Sequence, residues 1–118
     1  MSKRITAAER RAYETATERA DGQCEGCGRY GELNRHHRRF RRRGGKTTPE
    51  NHLLLCGMGN ASGCHGKAHS ADPPEGWAIS QYDKRPDDQI PVRTVYGLVV
   101  LTKDGRRVLV GDPENTLF

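Results

Sequence analysis

The chain has 118 residues, a formal net charge of +5 and 33% hydrophobic residues, which suffices for one domain but leaves a thin apolar core. Its mean hydropathy of -0.89 and the lack of a long apolar run argue against a membrane-spanning segment and predict no membrane partner. The excess of basic residues suits a polyanionic partner.

The first predicted element is a helix over residues 7–20. Thr6 and Glu9 stand three residues apart as a capping box, and Asp21-Gly22 ends the pattern. Alanines at every fourth position give this helix a small face that can pack against the next segment. We interpret its arginines as a solvated face rather than as phosphate contacts.

The four cysteines follow as two pairs. Cys24 and Cys27 form a C-x2-C knuckle, and Cys56 and Cys64 flank the glycine-rich loop 57–63. Four thiolates suit tetrahedral Zn2+, and the glycines let the loop fold back on itself. Two disulfides or free thiols are the alternative. Because the N-terminal residues are charged and lack a signal-peptide pattern, we expect a reducing cytoplasm, where disulfides are rare. The sequence therefore predicts one structural Zn2+.

All five histidines lie in the same region, between residues 24 and 69. His36 and His37 end a predicted strand, where adjacent side chains point to opposite sides. One of them can hold a metal while the other faces a substrate. His65 and His69 are one helical turn apart and share a face. A metal-assisted hydrolase needs this arrangement. We interpret His52 as a packing residue or an alternative zinc ligand.

These motifs have a precedent. The segments ELNRHHRRFRRRGG, ENHLLLCG and GCHG resemble the HNH nuclease family, and more narrowly the small zinc-ribbon HNH proteins of bacteriophages and prophages. The resemblance covers roughly residues 20–72 and, more loosely, residues 76–105. It implies a ββα-metal fold, in which two antiparallel strands and a helix surround one catalytic ion.

The resemblance also implies a role for each side chain. His37 resembles the general base, and His36 and His65 resemble the ligands of the catalytic ion. Asn51 resembles the residue that ties the loop to the strands, and His69 a histidine near the scissile phosphate. Because His36 stands where many members have Asp, the expected ion is Mg2+, Mn2+, Ni2+ or Zn2+.

A strongly basic loop joins the predicted base to Asn51. We predict that it grips the DNA backbone beside the cut, in a contact that is independent of base sequence and sensitive to salt. A solvated or disordered basic loop is the alternative. The predicted DNA-binding residues are Arg38, Arg39, Arg41, Arg42, Arg43 and Lys46, with Lys67 from the following helix.

The C-terminal part carries no chemical motif. Trp77 is a candidate for burial, and residues 92–102 have the pattern of one strand. Residues 103–106 resemble a hairpin turn, and residues 107–110 a second strand. The sequence therefore predicts a C-terminal antiparallel hairpin that extends the core.

Together these features predict a single α+β domain over residues 1–118. It contains an N-terminal helix, a zinc-ribbon and ββα-metal core over residues 24–72, and a β extension over residues 76–118. The predicted function is metal-dependent cleavage of DNA phosphodiester bonds. The resemblance implies phage genome packaging, with terminase or another packaging protein as partner, in the cytoplasm of a bacterial host.

The alternative is a non-catalytic zinc-ribbon module that binds DNA or serves as an adaptor in a packaging complex. Both hypotheses predict zinc and salt-dependent affinity for DNA. They differ at His37, because only a nuclease loses an activity when this residue becomes alanine.

Overall fold

The computed structural model describes residues 4–59 and 61–111 and has two antiparallel sheets, so the predicted α+β class is confirmed. None of the helices within these residues is long and apolar enough to cross a membrane. The helices are α1 (Ala7–Ala20) and α2 (Gly63–Ala68), with 3-10 turns at Arg41–Arg43, Pro49–Asn51 and Asp87–Gln89. The strands are β1 (Asn34–His37), β2 (His52–Leu55), β3 (Val92–Thr94), β4 (Gly97–Leu101) and β5 (Arg107–Leu109).

Helix α1 has the predicted bounds and the predicted cap. The Glu9 backbone N–H donates to the Thr6 hydroxyl at 3.1 Å, and the Thr6 N–H donates to the Glu9 carboxylate at 2.9 Å. Buried Ala16 and Ala20 then pack against Leu54 of β2. The small face of the helix therefore rests on the first sheet.

The first sheet pairs β1 with β2, with His36 opposite Leu53 and His37 opposite His52. All four residues of β2 are buried, because α1 covers one side of the sheet and the main core covers the other. In β1 only His36 is fully enclosed. The strand that ends in the two histidines therefore also borders solvent.

The second sheet corrects the predicted hairpin. Residues 92–102 form two strands, β3 and β4, and the sheet has three strands in the order β3-β4-β5. Gly97 follows the turn with φ at 109°, a conformation that favours glycine. The Thr94 hydroxyl accepts from the Tyr96 N–H and donates to the Gly97 carbonyl. The turn residues Val95 and Tyr96 are strand formers, which hid the reversal in the sequence.

The main core joins the second sheet to the cysteines. Trp77 is buried, as predicted, and its indole N–H donates to the Arg93 carbonyl at 2.7 Å. Residues 1–3 and 112–118 of the predicted domain, and Asn60 of the cysteine loop, lie outside the described residues. The core cluster contains Cys24, Leu53, Leu55, Cys56, Cys64, Ala68, Trp77, Val92, Val99 and Leu101. The cysteine cluster is thus continuous with the apolar core.

A buried ion-pair network that the sequence did not predict ties these parts together. Glu25, inside the first cysteine knuckle, is 0% exposed. Its carboxylate accepts two hydrogen bonds from Arg19 of α1, at 2.8 Å each. It also accepts from the Leu54 N–H at 3.0 Å and from Arg107 of β5 at 3.2 Å. One carboxylate therefore links α1, both sheets and the cysteine knuckle.

Glu25→Ala should destabilise the fold by about 3–5 kcal/mol, because it leaves the Arg19 guanidinium buried without its counter-charge. Urea unfolding of the metal-loaded protein measures this loss. Glu18→Ala, at an exposed position of the same helix, is the matched control and should change the free energy of unfolding by less than about 1 kcal/mol. Equal losses in the two variants would mean that the network contributes nothing specific.

Candidate functional site

The four cysteine sulfurs lie within 4.8 Å of one another. Cys24 and Cys27 come from the turns after α1, Cys56 follows β2, and Cys64 lies in the first turn of α2. Cys27 Sγ is 3.8 Å from Cys56 Sγ, and all four thiols are free. The four cysteines are therefore not paired as disulfides in this structure.

The loop between the second pair of cysteines folds back as predicted. Gly57 and Gly63 have φ values of 121° and 61°. A side chain at Gly57 would collide with the Ser62 carbonyl, and one at Gly63 would lie 2.6 Å from the Gly57 Cα. Only glycine permits this approach, which brings Cys56 and Cys64 to the same point.

The donor set fits a metal ion. Burial raises the pKa of the Cys24 and Cys64 thiols, whereas a backbone hydrogen bond at Arg29 lowers the pKa of exposed Cys27 to about 7. The Cys27 and Cys56 N–H groups both donate to Cys24 Sγ, at 3.5 and 3.3 Å. Such N–H donors stabilise a thiolate. The cluster could therefore hold a structural metal such as zinc, with four sulfurs closing the coordination shell.

A second cluster joins His36, at the end of β1, to His65 and His69 of α2. One ring nitrogen from each lies within 4.8 Å of the others, and the Nε2 atoms of His65 and His69 are 3.2 Å apart. His36 is 2% exposed, whereas His69 is exposed. The cluster is thus anchored in the core and opens to solvent at one side.

The His36 ring has a defined tautomer. Its Nε2 lies 2.6 Å from the Trp77 carbonyl oxygen, which can only accept, so Nε2 carries the proton and Nδ1 keeps a free lone pair. Burial lowers the pKa of His36 to about 4, and burial also lowers the pKa values of His65 and His69. Three neutral imidazoles therefore converge, and neutral imidazole is the form that binds metals. The sequence placed His36 and His65 together, and the structure adds His69 as a third member.

His37 faces the other side of β1. Its Nε2 lies 3.3 Å from the Thr47 hydroxyl and 3.3 Å from His52 Nε2, with Arg41 Nε at 3.5 Å. Burial, and then the charge of Arg41, lower the pKa of His37 below its usual 6.5. The imidazole is therefore neutral near pH 7 and able to take a proton.

His52 is the residue that sequence analysis undervalued. It is 0% exposed, it stands opposite His37 in the strand register, and the Tyr13 ring stacks on it with centroids 5.0 Å apart. Because both Nε2 atoms of the His37–His52 pair are in contact, one must donate and the other accept. His52 thus fixes the ring of its neighbour. Only the register reveals this contact, and a long loop separates the two residues in sequence.

Asn51 is fully buried and braces the loop after β1. Its Oδ1 accepts from the Arg39 N–H at 2.7 Å, and its Nδ2 donates to the carbonyls of Arg39 and Lys46 at 3.1 and 2.8 Å. Its side chain does not line the cleft described next. Asn51 therefore acts through the backbone geometry of the loop.

The three-histidine cluster and His37 open into one cleft of about 390 Å³. Three arginines border it, and none of them forms an ion pair with a carboxylate in the described part of the chain. The cleft is therefore electropositive and suited to an anion. Its lining residues are Arg35, His36, His37, Phe40, Arg41, Arg42, His65 and His69.

Two of the predicted DNA-binding residues have protein partners in this structure and do not line the cleft. Arg38 is 0% exposed and donates to the carbonyls of Gly76 and Ile90, both at 2.8 Å. Arg39 pairs with Asp87 at 3.0 Å. Both guanidiniums fasten residues 76–90 to the core, so they are not free for a ligand. The run of arginines in the sequence does not reveal that carbonyl and carboxylate oxygens of residues 76–90 accept their hydrogen bonds.

The other basic residues divide into two groups. Arg41 and Arg42 are exposed and line the cleft, as a DNA contact requires. Arg43 is half-buried over the Phe40 ring, at 4.6 Å from its centroid. Lys46 and Lys67 are exposed but lie outside the cleft lining. Arg35, which the sequence analysis did not select, belongs to the cleft.

Comparison of the chain with protein-family models, with curated proteins and with solved structures finds no match.

Acid should destabilise the fold through His52. Its pKa is about 3 in the folded chain, mainly because of burial, against the usual 6.5. As the pH falls, the His52 imidazole binds a proton in the unfolded chain before it does so in the folded chain. The free energy of unfolding therefore keeps its full value above about pH 6.5, and it falls by up to about 1.4 kcal/mol per pH unit as the pH drops towards 3. Urea unfolding at a series of pH values measures the slope. His52→Gln, which cannot titrate, should lower the slope by up to about 1.4 kcal/mol per pH unit, while buried His36, whose pKa is lowered to about 4, keeps its own share. An unchanged slope would contradict the assignment.

Proposed function

We propose that this chain is a metal-dependent endonuclease of the HNH type, which hydrolyses phosphodiester bonds of DNA. One observation carries the proposal: three neutral histidines converge beside a fourth, His37, in one cleft whose arginines form no ion pair with the carboxylates that the structure describes. A metal site, a neutral base and an anion-binding surface are the parts that phosphodiester hydrolysis needs.

The way the fold delivers these residues supports the proposal. The β1–β2 pair supplies His36 and His37, and α2 supplies His65 and His69. Two antiparallel strands and a helix around one ion are what the resemblance to HNH nucleases implies. Asn51 braces the loop behind the doublet, in agreement with the orienting role expected of it.

The metal site favours particular ions. Three imidazole nitrogens form a softer donor set than the oxygen ligands that Mg2+ prefers. We therefore expect Zn2+, Ni2+ or Mn2+ to be held better than Mg2+. When bound, the ion supplies charge stabilisation for the phosphate and the departing 3′ oxygen. The four cysteines form a closed set and serve as a separate structural zinc centre.

The remaining chemistry belongs to side chains of this chain. His37, neutral near pH 7, takes the proton of the attacking water. His52 and Thr47 both contact its Nε2 and so hold the ring in one orientation. Arg42, which borders the cleft, neutralises the charge of the bound phosphate group.

A DNA-binding adaptor without catalysis remains the alternative function. It would use the same cysteine cluster and the same arginines. An adaptor does not require the three clustered histidines or His37 beside them. Their presence in the cleft therefore favours the nuclease. The place in phage packaging, the terminase partner and the host cytoplasm follow from the resemblance alone.

Cleavage of supercoiled plasmid tests the proposal. Protein shown to be folded and zinc-loaded is incubated with Mg2+, Mn2+, Ni2+ or Zn2+ in turn. We expect nicked circles, because a monomer with one site cuts one strand, and ends that DNA ligase can rejoin. DNA binding without product under any ion would overturn the nuclease in favour of the adaptor.

A further inference from the structure

Tyr13 belongs to the N-terminal helix and lies beside the proposed catalytic site. Its ring stacks on buried His52 with an interplanar angle of 6°, and the guanidinium carbon of Arg35 lies 4.5 Å from the ring centroid. Its hydroxyl accepts a hydrogen bond from Arg41 at 3.1 Å. One tyrosine thus contacts two of the three arginines that border the cleft.

We propose that Arg35 and Arg41, held in place by Tyr13, form a clamp for the DNA phosphate next to the one that is cut. The proposal rests on the proposed function, because it names a second subsite of the same cleft. Neither Arg35 nor Tyr13 belongs to the basic loop from which DNA contacts were predicted.

The charge pattern around these arginines supports a ligand site. Five arginines of the described residues pair with a carboxylate, namely Arg19, Arg39, Arg85, Arg106 and Arg107, whereas others, such as exposed Arg93, form no such pair. Arg35 and Arg41 are exposed, line the cleft and have no such partner there. Glu9 faces the same corner, and Arg41 contributes to its lowered pKa after the hydrogen bonds from Thr6 and Thr47. The two guanidiniums are therefore left available to an anion.

The anchoring by Tyr13 suits these side chains for phosphate. A guanidinium presents a planar fork that matches two phosphate oxygens, and stacking on an aromatic ring holds that fork in one orientation. An arginine oriented in advance loses less conformational entropy when it binds than a free one. Tyr13 of α1 thus orients Arg35 and Arg41 in a way that solvent alone would not.

The position of the clamp identifies its ligand as a strand and not a single phosphate. Arg35 and His37 contact groups on the α1 side of β1, whereas His36 contacts the α2 histidines on the other side. A phosphate at the three-histidine cluster therefore leaves the clamp free for a neighbouring phosphate of the same strand. A substrate with only one phosphodiester has no second phosphate to offer the clamp.

The test measures binding and cleavage separately. Binding of a short DNA duplex is followed against salt concentration without a catalytic ion, for Arg35→Gln, Tyr13→Phe and Arg93→Gln. The last is an exposed arginine on β3 that loses the same charge. We expect Arg35→Gln to weaken binding several-fold and to lower the log-log salt slope by about 0.9, whereas Arg93→Gln stays near the parent protein. Tyr13→Phe keeps the ring and should weaken binding less than Arg35→Gln.

Cleavage of DNA is then compared with hydrolysis of bis(p-nitrophenyl) phosphate, which carries one phosphodiester. In Arg35→Gln the ratio of the DNA rate to the small-substrate rate should fall. The clamp would be overturned if Arg35→Gln matched Arg93→Gln in DNA affinity, in salt slope and in the ratio of the two rates. Absence of cleavage by every variant would instead contradict the nuclease, and the binding data would still decide the clamp.

Discussion

Cys56→Ser should leave the chain largely unfolded at neutral pH. The cysteines belong to the main apolar core, and structural zinc contributes about 10–16 kcal/mol in small zinc domains. That is as large as the whole stability of a typical domain, about 5–15 kcal/mol. Circular dichroism and amide dispersion in NMR spectra, read beside the zinc content, measure the loss.

Met58→Ser is the matched control for this prediction, since Met58 is 79% exposed in the loop between the same two cysteines. It should keep both zinc and fold. A strong chelator should unfold the parent protein in the same way as the serine substitution. A dispersed NMR spectrum after complete removal of zinc would show that the core folds without the metal.

His37→Ala should lower the rate of DNA cleavage by about 10²- to 10⁴-fold, the usual contribution of a general base. The side chain is half-buried and does not hold the metal in this account. DNA affinity, zinc content and thermal stability should therefore stay close to those of the parent protein. Single-turnover cleavage with excess protein separates the chemical step from binding.

The pH profile adds a second readout for His37. Because its pKa lies below the usual 6.5, the neutral form already dominates at pH 6.5. The single-turnover rate should therefore rise with pH and reach half of its maximum below that value. Added imidazole should restore part of the activity of His37→Ala. A variant that cleaves at the parent rate would remove His37 from the mechanism.

Local signals predicted the elements that depend on local contacts. The capping box of Thr6 and Glu9 fixed the start of α1, and the glycines of loop 57–63 predicted how Cys56 meets Cys64. The helical spacing of His65 and His69 correctly placed both on one face. In each case the interacting groups are neighbours in sequence, so spacing alone carries the information.

The remaining features depend on contacts between distant segments. Arg38 is buried because carbonyls of residues 76–90 surround it, and no pattern around the arginine run reveals them. Glu25 pairs with helix α1 and strand β5. His52 meets His37 only through the strand register. The turn between β3 and β4 is not visible in the sequence, because its residues Val95 and Tyr96 have high strand propensity. Long-range packing overrides local propensity at all these positions.

Plasmid nicking by protein that keeps its cysteine-bound zinc but has lost weakly held ions is the sharpest test of the catalytic metal. We expect no product until a divalent ion is restored, and nicked circles afterwards. His65→Ala, with zinc content and circular dichroism unchanged, should stay inactive at the same ion concentration. Nicking that needs no added ion, or that survives in folded His65→Ala, would contradict a catalytic metal held by His36, His65 and His69.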